Sequence, residues 1–124
     1  MATTINPVVH YRDLAAGSRF LVEAFGFVQH EAHKADNGSV QYVELSLDGA
    51  PLGLGPFTEG SIFDTGPAVV YISLDEVDSM HRRAVAAGAE ILMAPTDQDY
   101  GSRDFVAKDR EGNVWCFGTY QPGG

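Results

Sequence analysis

Two segments with the same length and the same end residues constrain the fold of this chain more than any other feature. They are "DLAAGSRFLVEAFG", residues 13–26, and "DEVDSMHRRAVAAG", residues 75–88. Each begins with an aspartate that suits a helix N-cap, ends with a glycine that suits the residue after a helix, and carries apolar residues at helical spacing in between. The sequence therefore predicts two equivalent helices, one in each half of the chain.

Short runs of β-forming residues surround both helices in the same order. One run precedes each helix ("PVVHYR" and "AVVYISL"), one follows it ("FVQHEAH" and "AEILM"), and two more complete each half ("SVQYVELSL" with "PLGLG", and "RDFVAK" with "VWCFGTY"). Each half therefore reads βαβββ, which predicts an α+β fold of two tandem modules. We expect a single domain over residues 1–124, with module one at 1–55, a linker at 56–66 and module two at 67–120.

Each module is expected to leave one face of a four-stranded sheet without a covering helix. Two such sheets can curl into a mixed-sheet cup whose concave face holds a ligand. Side chains alternate between the two faces of a strand, so the residues that line this cup can be counted along each strand.

Charge and composition limit the classes of partner. The formal net charge of −9 argues against nucleic acid, which is bound by clustered Lys and Arg, and favours a neutral or cationic ligand. The apolar runs are far shorter than the roughly 20 residues that a membrane span requires, and no secretory signal is visible at the start of the sequence. The single cysteine suits a reducing compartment, so we expect a cytoplasmic protein without a membrane partner.

Four segments carry a resemblance to a known family. They are "YRDLAAGSRFLVEAFGF", "YVELSLDG", "YISLDEVDSMHRRAVAAGAEI" and "DYGSRDFVAKDREGNVWCFGTY", of which the stretch around "DREGNVW" is the most specific. Together they resemble the vicinal oxygen chelate superfamily, which includes glyoxalase I, extradiol dioxygenases, fosfomycin-resistance enzymes and bleomycin-binding resistance proteins. The resemblance implies the glyoxalase/bleomycin resistance fold, although this fold supports unrelated chemistries.

The resemblance also implies four positions for metal ligands, one on each of four strands facing the cup. Carried over by spacing, they fall at Asn6, Glu44, Val69 and Cys116, where metal-dependent relatives have His or Gln, Glu, His and Glu. Val69 has no donor atom, and the Asn6 amide is a weak neutral ligand. Glu44 and Cys116 alone fall short of the three protein ligands of a typical catalytic site. We therefore predict no metal and no cofactor.

Alternation from these four positions extends the predicted lining of the cup to neighbouring residues. The loop "PTDQDYGSRDF" adds a rim with Tyr100 and Arg103. This lining is mostly apolar and aromatic with a few polar groups, as is usual for small-molecule sites. The predicted ligand-binding residues are Asn6, Val8, His10, Tyr42, Glu44, Val69, Tyr71, Tyr100, Arg103 and Cys116.

Three functions are compatible with this lining. The first is metal-free binding of a small organic molecule, a natural product or drug that is cationic or planar, in a cup at a homodimer interface, as the resemblance to bleomycin-binding proteins implies. The second is a divalent-metal-dependent lyase or isomerase of the glyoxalase type, or a dioxygenase. The third is a metal-free enzyme in which Glu44 acts as general base. Cys116 is expected to be an inert thiol, and Trp115 is expected to pack on the helix side of its sheet.

Overall fold

The computed structural model describes residues 2–123, and the predicted order of elements is confirmed in both halves. The chain divides into two compact units, Met1–Gly66 (unit 1) and Pro67–Gly124 (unit 2), each with a helix and four strands. Unit 1 contains β1 (Val8–Tyr11), α1 (Leu14–Phe25), β2 (Val28–Lys34), β3 (Val40–Leu47) and β4 (Ala50–Pro56). Unit 2 contains β5 (Val69–Ser73), α2 (Val77–Ala86), β6 (Glu90–Asp97), β7 (Arg103–Lys108) and β8 (Val114–Gly118).

The two sheets have the same strand order. It is β1-β4-β3-β2 in unit 1 and β5-β8-β7-β6 in unit 2, so the first strand of each unit pairs with the fourth. That pair is parallel, and the remaining neighbours are antiparallel. Val8 lies opposite Gly53, and Tyr71 lies opposite Cys116. The predicted α+β fold with two tandem modules is therefore confirmed.

Helix α1 has both of its predicted ends. The Asp13 carboxylate accepts a hydrogen bond from the Ala16 N–H at 3.0 Å, as an N-cap does. Gly26 ends the helix in the left-handed conformation, with φ 79°, and donates its N–H to the Val22 carbonyl at 3.1 Å. The buried face of α1 lies against one face of the unit 1 sheet. The core of this unit contains Val9, Tyr11, Leu14, Leu21, Ala24, Phe25, Val43, Leu45, Leu52 and Leu54.

Helix α2 begins one residue later than predicted. Its N-cap is Glu76 rather than Asp75, because the Glu76 carbonyl accepts the first helical bond, from the Met80 N–H at 3.1 Å. No side chain caps this end. Gly88 follows the helix with φ 85°, as predicted for a residue that ends a helix. Neither helix within residues 2–123 has the length and apolar character needed to cross a membrane.

The core of unit 2 consists largely of aromatic side chains from β7 and β8. Phe105 and Phe117 stack with ring centroids 4.7 Å apart, and both are fully buried together with Trp115. His81 of α2 meets the Phe105 ring edge-on at 5.3 Å. Trp115 therefore belongs to the buried face of the sheet, as predicted.

The "DREGNVW" stretch, the most specific part of the resemblance, forms the turn between β7 and β8. The buried Asp109 carboxylate accepts hydrogen bonds from the N–H groups of Glu111 and Asn113, from the Asn113 amide and from the Trp115 indole, at 3.0–3.2 Å. Asn113 in turn accepts from the Ala68 N–H at 2.8 Å, which ties the turn to the start of β5. This motif closes a hairpin.

Candidate functional site

Each sheet has one face that carries no helix, which we call open face 1 in unit 1 and open face 2 in unit 2. Burial alternates along the strands: Val9 and Tyr11 are buried on the α1 side, whereas Val8 is 43% exposed. Most of the predicted site residues lie on these faces. Open face 1 carries Val8, His10, Tyr42, Glu44 and Ser46, and open face 2 carries Val69, Tyr71, Ser73, Asp104, Val106, Val114 and Cys116.

On open face 1, two aromatic rings lie over the glycines of β4. The Tyr42 hydroxyl occupies the space that a Cβ on Gly53 would need, and the His10 ring lies about 3.3 Å from the same position on Gly55. The Asn6 amide donates to the Tyr42 hydroxyl at 3.3 Å. His10 also stacks on Phe63, with centroids 6.1 Å apart. The absence of side chains at Gly53 and Gly55 therefore leaves space for these two rings.

A cluster of three polar side chains lies on the β2 side of open face 1. His33 Nε2 lies 3.5 Å from a Glu31 carboxylate oxygen and 3.8 Å from one of Glu44. One ligand atom from each of these three exposed residues lies within 4.8 Å of the others, which suits a divalent cation. His30 lies apart from them and contacts the Ser46 hydroxyl at 2.6 Å. His33 lies opposite Tyr42 in the β2–β3 register, which brings it close to Glu44 on the same face of β3. The sequence does not reveal this group, because it depends on which residues of the two strands lie opposite each other.

Glu44 lies on open face 1, as predicted, but its side chain is 48% exposed. A carboxylate that acts as general base at neutral pH usually depends on burial in apolar surroundings. Solvent surrounds half of the Glu44 side chain, and His33 Nε2 lies 3.8 Å from its carboxylate. The structure therefore gives no support to the role of general base.

Open face 2 contains a buried carboxylate that the sequence analysis missed. Asp104 is 6% exposed and accepts three hydrogen bonds from hydroxyl groups. Tyr100 donates to Oδ2 at 2.5 Å, and Ser102 and Tyr71 donate to Oδ1 at 2.5 and 3.3 Å. The space for Asp104 and the Tyr71 hydroxyl exists because Gly118, opposite on β8, has no side chain. Alternation along β7 would have placed Asp104 on the same face as Val106, opposite Cys116.

Three tyrosines surround this carboxylate. The Tyr120 ring meets the Tyr71 ring at 78° and the Tyr100 ring at 89°, with centroids 6.4 Å apart in both pairs. Tyr71, Tyr100 and Tyr120 are 39, 66 and 52% exposed. The hydrogen bond to the Asp104 carboxylate, together with burial and the negative charge, raises the pKa of Tyr100 to about 12.

Cys116 lies on open face 2 and is half-buried. Desolvation raises the pKa of its thiol, and the nearby Asp104 charge raises it further. The thiolate is the form that attacks electrophiles and binds metals, so a raised pKa opposes both roles at neutral pH.

Arg103 and Tyr100, predicted together as a rim, point to opposite sides of β7. The Arg103 guanidinium donates to the Asp78 carboxylate of α2 at 2.9 and 3.1 Å, and to Asp97 at 3.2 Å. Arg103 therefore lies on the helix side, whereas the next residue, Asp104, points to the open face. The hydrogen bond from Arg103 also lowers the pKa of Asp78.

The predicted metal positions do not form an equivalent set. Val8 lies five residues before the cap of α1 and pairs with Gly53, while Tyr71 lies five residues before the cap of α2 and pairs with Cys116. The equivalent of Cys116 in unit 1 is therefore Gly53 on β4, and not Glu44 on β3. Val69 has no donor atom, the Asn6 amide bonds to Tyr42, and Cys116 favours the thiol form. These residues do not fit the metal site of metal-dependent relatives.

A cavity of about 620 Å³ lies on the helix side of unit 1, between α1 and the strands β2 and β3. Its walls include Val22, Phe27, Val28 and Val43, and the hydrogen bond from Ser18 to Gln29 crosses it at 2.6 Å. The sequence analysis did not predict this cavity, because its expected ligand surface was the opposite face of the sheet.

The two βαβββ units and the sequence that forms them define a member of one superfamily. The family model of the Glyoxalase/Bleomycin resistance protein/Dioxygenase superfamily matches residues 4–117, and the chain belongs to this superfamily. An uncharacterized protein of Mycobacterium bovis is 27% identical over 124 residues, covering 92% of this chain and 81% of that protein.

Solved structures share the fold. TioX from Micromonospora sp. ML1 superimposes with a TM-score of 0.82 at 23% identity, covering 97% of this chain and all of that one. A glyoxalase/bleomycin resistance protein/dioxygenase family enzyme from Burkholderia phytofirmans PsJN gives a TM-score of 0.68 at 24% identity, covering 91% and 94%. At these identities the likeness extends to the fold and not to the ligand.

Proposed function

We propose that this protein captures a small organic molecule, cationic or planar, in a metal-free cup at a homodimer interface, without chemical turnover. The observation that carries the proposal is the exposed aromatic and apolar surface of open face 2. Val69 is 72% exposed and Tyr71 39% exposed, on a sheet whose other face is buried under α2. Exposed apolar surface of this kind usually marks a place where a ligand or a partner binds.

The donor chemistry of the open faces supports a binding role over metal chemistry at the positions that the resemblance implies. Val69 and Gly53 occupy positions at which a metal site would need a coordinating side chain, and Cys116 favours the thiol form. The net charge of −9 favours a cationic ligand through long-range attraction. A natural product or antibiotic that the protein sequesters fits this surface. The free cysteine is consistent with a cytoplasmic location.

Binding without turnover can be tested with a panel of planar aromatic compounds, both neutral and cationic. Isothermal titration measures binding, and mass spectrometry of the recovered compound measures turnover. Trp115 is fully buried on the helix side, so its fluorescence is not a suitable reporter. Binding with complete recovery supports the proposal, whereas consumption of the compound or an absence of binding across the panel contradicts it.

A matched pair of valines tests whether open face 2 is the binding surface. Val69→Asp should weaken binding of the neutral planar compounds roughly 10-fold or more, because the new charge would have to be desolvated against an uncharged ligand. Val85→Asp is the control, since Val85 is an exposed valine on α2 at 51% exposure. Sedimentation equilibrium of both variants tests the homodimer, which Val69→Asp should also weaken if the partner chain covers this face.

A divalent-metal-dependent lyase, isomerase or dioxygenase is the second candidate. The observation that favours it is the group of Glu31, His33 and Glu44, whose ligand atoms converge within 4.8 Å. Elemental analysis after incubation with zinc, nickel, manganese or iron tests this function. Stoichiometric metal that is lost in His33→Ala and kept in His30→Ala would favour it over sequestration.

A further inference from the structure

The Asp104 carboxylate is a buried negative charge without a cationic partner among residues 2–123. Its three hydrogen-bond donors are the neutral hydroxyls of Tyr71, Tyr100 and Ser102. The ion pairs of the described residues involve other carboxylates. Buried carboxylates are normally paired with a positive charge, because hydroxyl dipoles compensate only part of the desolvation.

Three aromatic rings lie near this carboxylate. The Tyr120 ring meets the Tyr71 ring at 78° and the Tyr100 ring at 89°, and Tyr71 and Tyr100 direct their hydroxyls to Asp104. The position of Tyr120 is fixed by its backbone, whose N–H donates to the Ser102 hydroxyl at 3.1 Å and whose carbonyl accepts from the Ser73 hydroxyl at 2.6 Å. Perpendicular aromatic walls beside a negative charge attract alkylated ammonium groups through cation–π interaction.

We infer that Asp104 with Tyr71, Tyr100 and Tyr120 forms a subsite for an alkylated cationic nitrogen, either a tertiary or quaternary ammonium or an N-alkylated heteroaromatic ring. A carboxylate offers about four lone-pair positions, and three of those of Asp104 accept hydroxyl hydrogens. At most one hydrogen bond remains for a ligand, so a nitrogen with several N–H groups would leave donors unsatisfied. The inference rests on the proposed function, since it names the charged group of the captured molecule.

A pair of planar probes of similar shape, N-methylacridinium and acridine, isolates the effect of the charge. Titration is carried out at a pH at which acridine is neutral, with the full chain. The wild-type protein should bind the cation roughly 10-fold more tightly than acridine, which is the range of a partly desolvated cation–π contact. Asp104→Asn should abolish this preference, so that the two probes bind with similar affinity. Asp36→Asn removes the same charge from an exposed turn of unit 1 and should keep the preference.

A second pair of variants tests the subsite even if Asp104→Asn fails to fold. Tyr120 follows the last strand and is half exposed, so its side chain can be replaced without disturbing the core. Tyr120→Phe keeps the aromatic face and should keep the preference for the cation, whereas Tyr120→Leu removes it and should reduce the preference. Equal binding of both probes by the wild type, or a preference that survives both Asp104→Asn and Tyr120→Leu, overturns the subsite alone. Failure of both probes to bind the wild type overturns the subsite and the proposed function together.

Discussion

The two open faces have the same backbone scaffold but opposite electrostatic character. Each has a glycine on the fourth strand of its unit beneath a tyrosine hydroxyl: Gly53 beneath Tyr42, and Gly118 beneath Tyr71. On open face 1, exposed histidines and glutamates lie around this feature, and His33 is close to Glu31 and Glu44. On open face 2, Gly118 lies instead beside the buried carboxylate of Asp104, with Tyr71, Tyr100 and Tyr120 nearby.

This difference shows that two units with the same strand order can present different chemistry on their open faces. Both units have the same strand order, and each has a glycine on its fourth strand that leaves space for a neighbouring aromatic side chain. The side chains that lie next to this strand determine which ligands each open face attracts. Open face 1 offers solvated donors that suit a divalent cation, and open face 2 offers an aromatic surface with a fixed negative charge.

The largest expected effect is a loss of stability, and it differs between the two turns that precede the last strand of each unit. In unit 1 the turn has Asp48 and Gly49 with φ of 49° and 83°, whereas in unit 2 the carboxylate of Asp109 holds the turn with four hydrogen bonds. Asp109→Ala should lower the free energy of unfolding by roughly 3 kcal/mol, because buried donors lose a charged acceptor. Asp48→Ala should lower it by about 1 kcal/mol, the cost of a left-handed alanine.

Chemical denaturation of both variants measures these free energies. Equal losses would mean that the hydrogen bonds of Asp109 contribute little beyond the backbone of the turn.

The next prediction compares the loss of stability when a glycine on β8 or on β4 is replaced by alanine. Gly118→Ala would push a Cβ into the buried Asp104 carboxylate, which three hydrogen bonds hold in place, and should destabilise the protein by roughly 2 kcal/mol. Gly53→Ala meets only the tip of the Tyr42 side chain, which can swing away with the loss of one hydrogen bond to Asn6, so less than about 1 kcal/mol is expected.

A double-mutant cycle sharpens this comparison. The effect of Gly118→Ala should shrink when Asp104→Ala is already present, because one of the two groups that the added Cβ meets is gone and only the Tyr71 hydroxyl remains. An unchanged effect would place the strain at Tyr71 or elsewhere in β8.

The smallest effect is the pH dependence of Tyr100, which has no counterpart in unit 1. Its pKa is raised from 10.0 to about 12 by the hydrogen bond to Asp104. A raised pKa in the folded protein means that the contribution to stability is complete below pH 10.0 and is lost as the pH rises through about 12. The stability difference between the wild type and Tyr100→Phe should therefore be constant at neutral pH and fall above pH 10.0.

Ultraviolet absorbance of the phenolate follows the same transition directly. In Asp104→Asn it should move down towards the ordinary value of tyrosine. A transition that stays in place in this variant would contradict the hydrogen bond as its cause.

Several features of the fold could be read from the sequence because they depend on neighbours along the chain. Asp13 and Gly26 mark the ends of α1 through local backbone bonds. At α2 the same reasoning chose Asp75, one residue too early, since either acidic residue could cap the helix and only the first helical bond distinguishes them. The position of Trp115 in the core followed from alternation along β8.

The site residues were harder to predict because they depend on which strands pair. Glu44 was taken as the equivalent of Cys116, but β4 and not β3 pairs with the first strand, which makes Gly53 the equivalent. Arg103 was grouped with Tyr100 because both belong to one loop, and the start of β7 directs Arg103 to α2 instead. Asp104 went unnoticed because its environment depends on the Tyr71 hydroxyl from β5 as well as on Tyr100 and Ser102 in the preceding loop.

Periodicity and capping by themselves determined that this chain forms two βαβββ units, since hydrophobic spacing and helix ends are local properties. The choice of partners for each polar side chain was decided only by the tertiary structure. Hydrogen bonds and ion pairs need atoms within about 3–4 Å, and that proximity arises from strand pairing, register shifts and glycines that leave space, none of which is a property of one short segment.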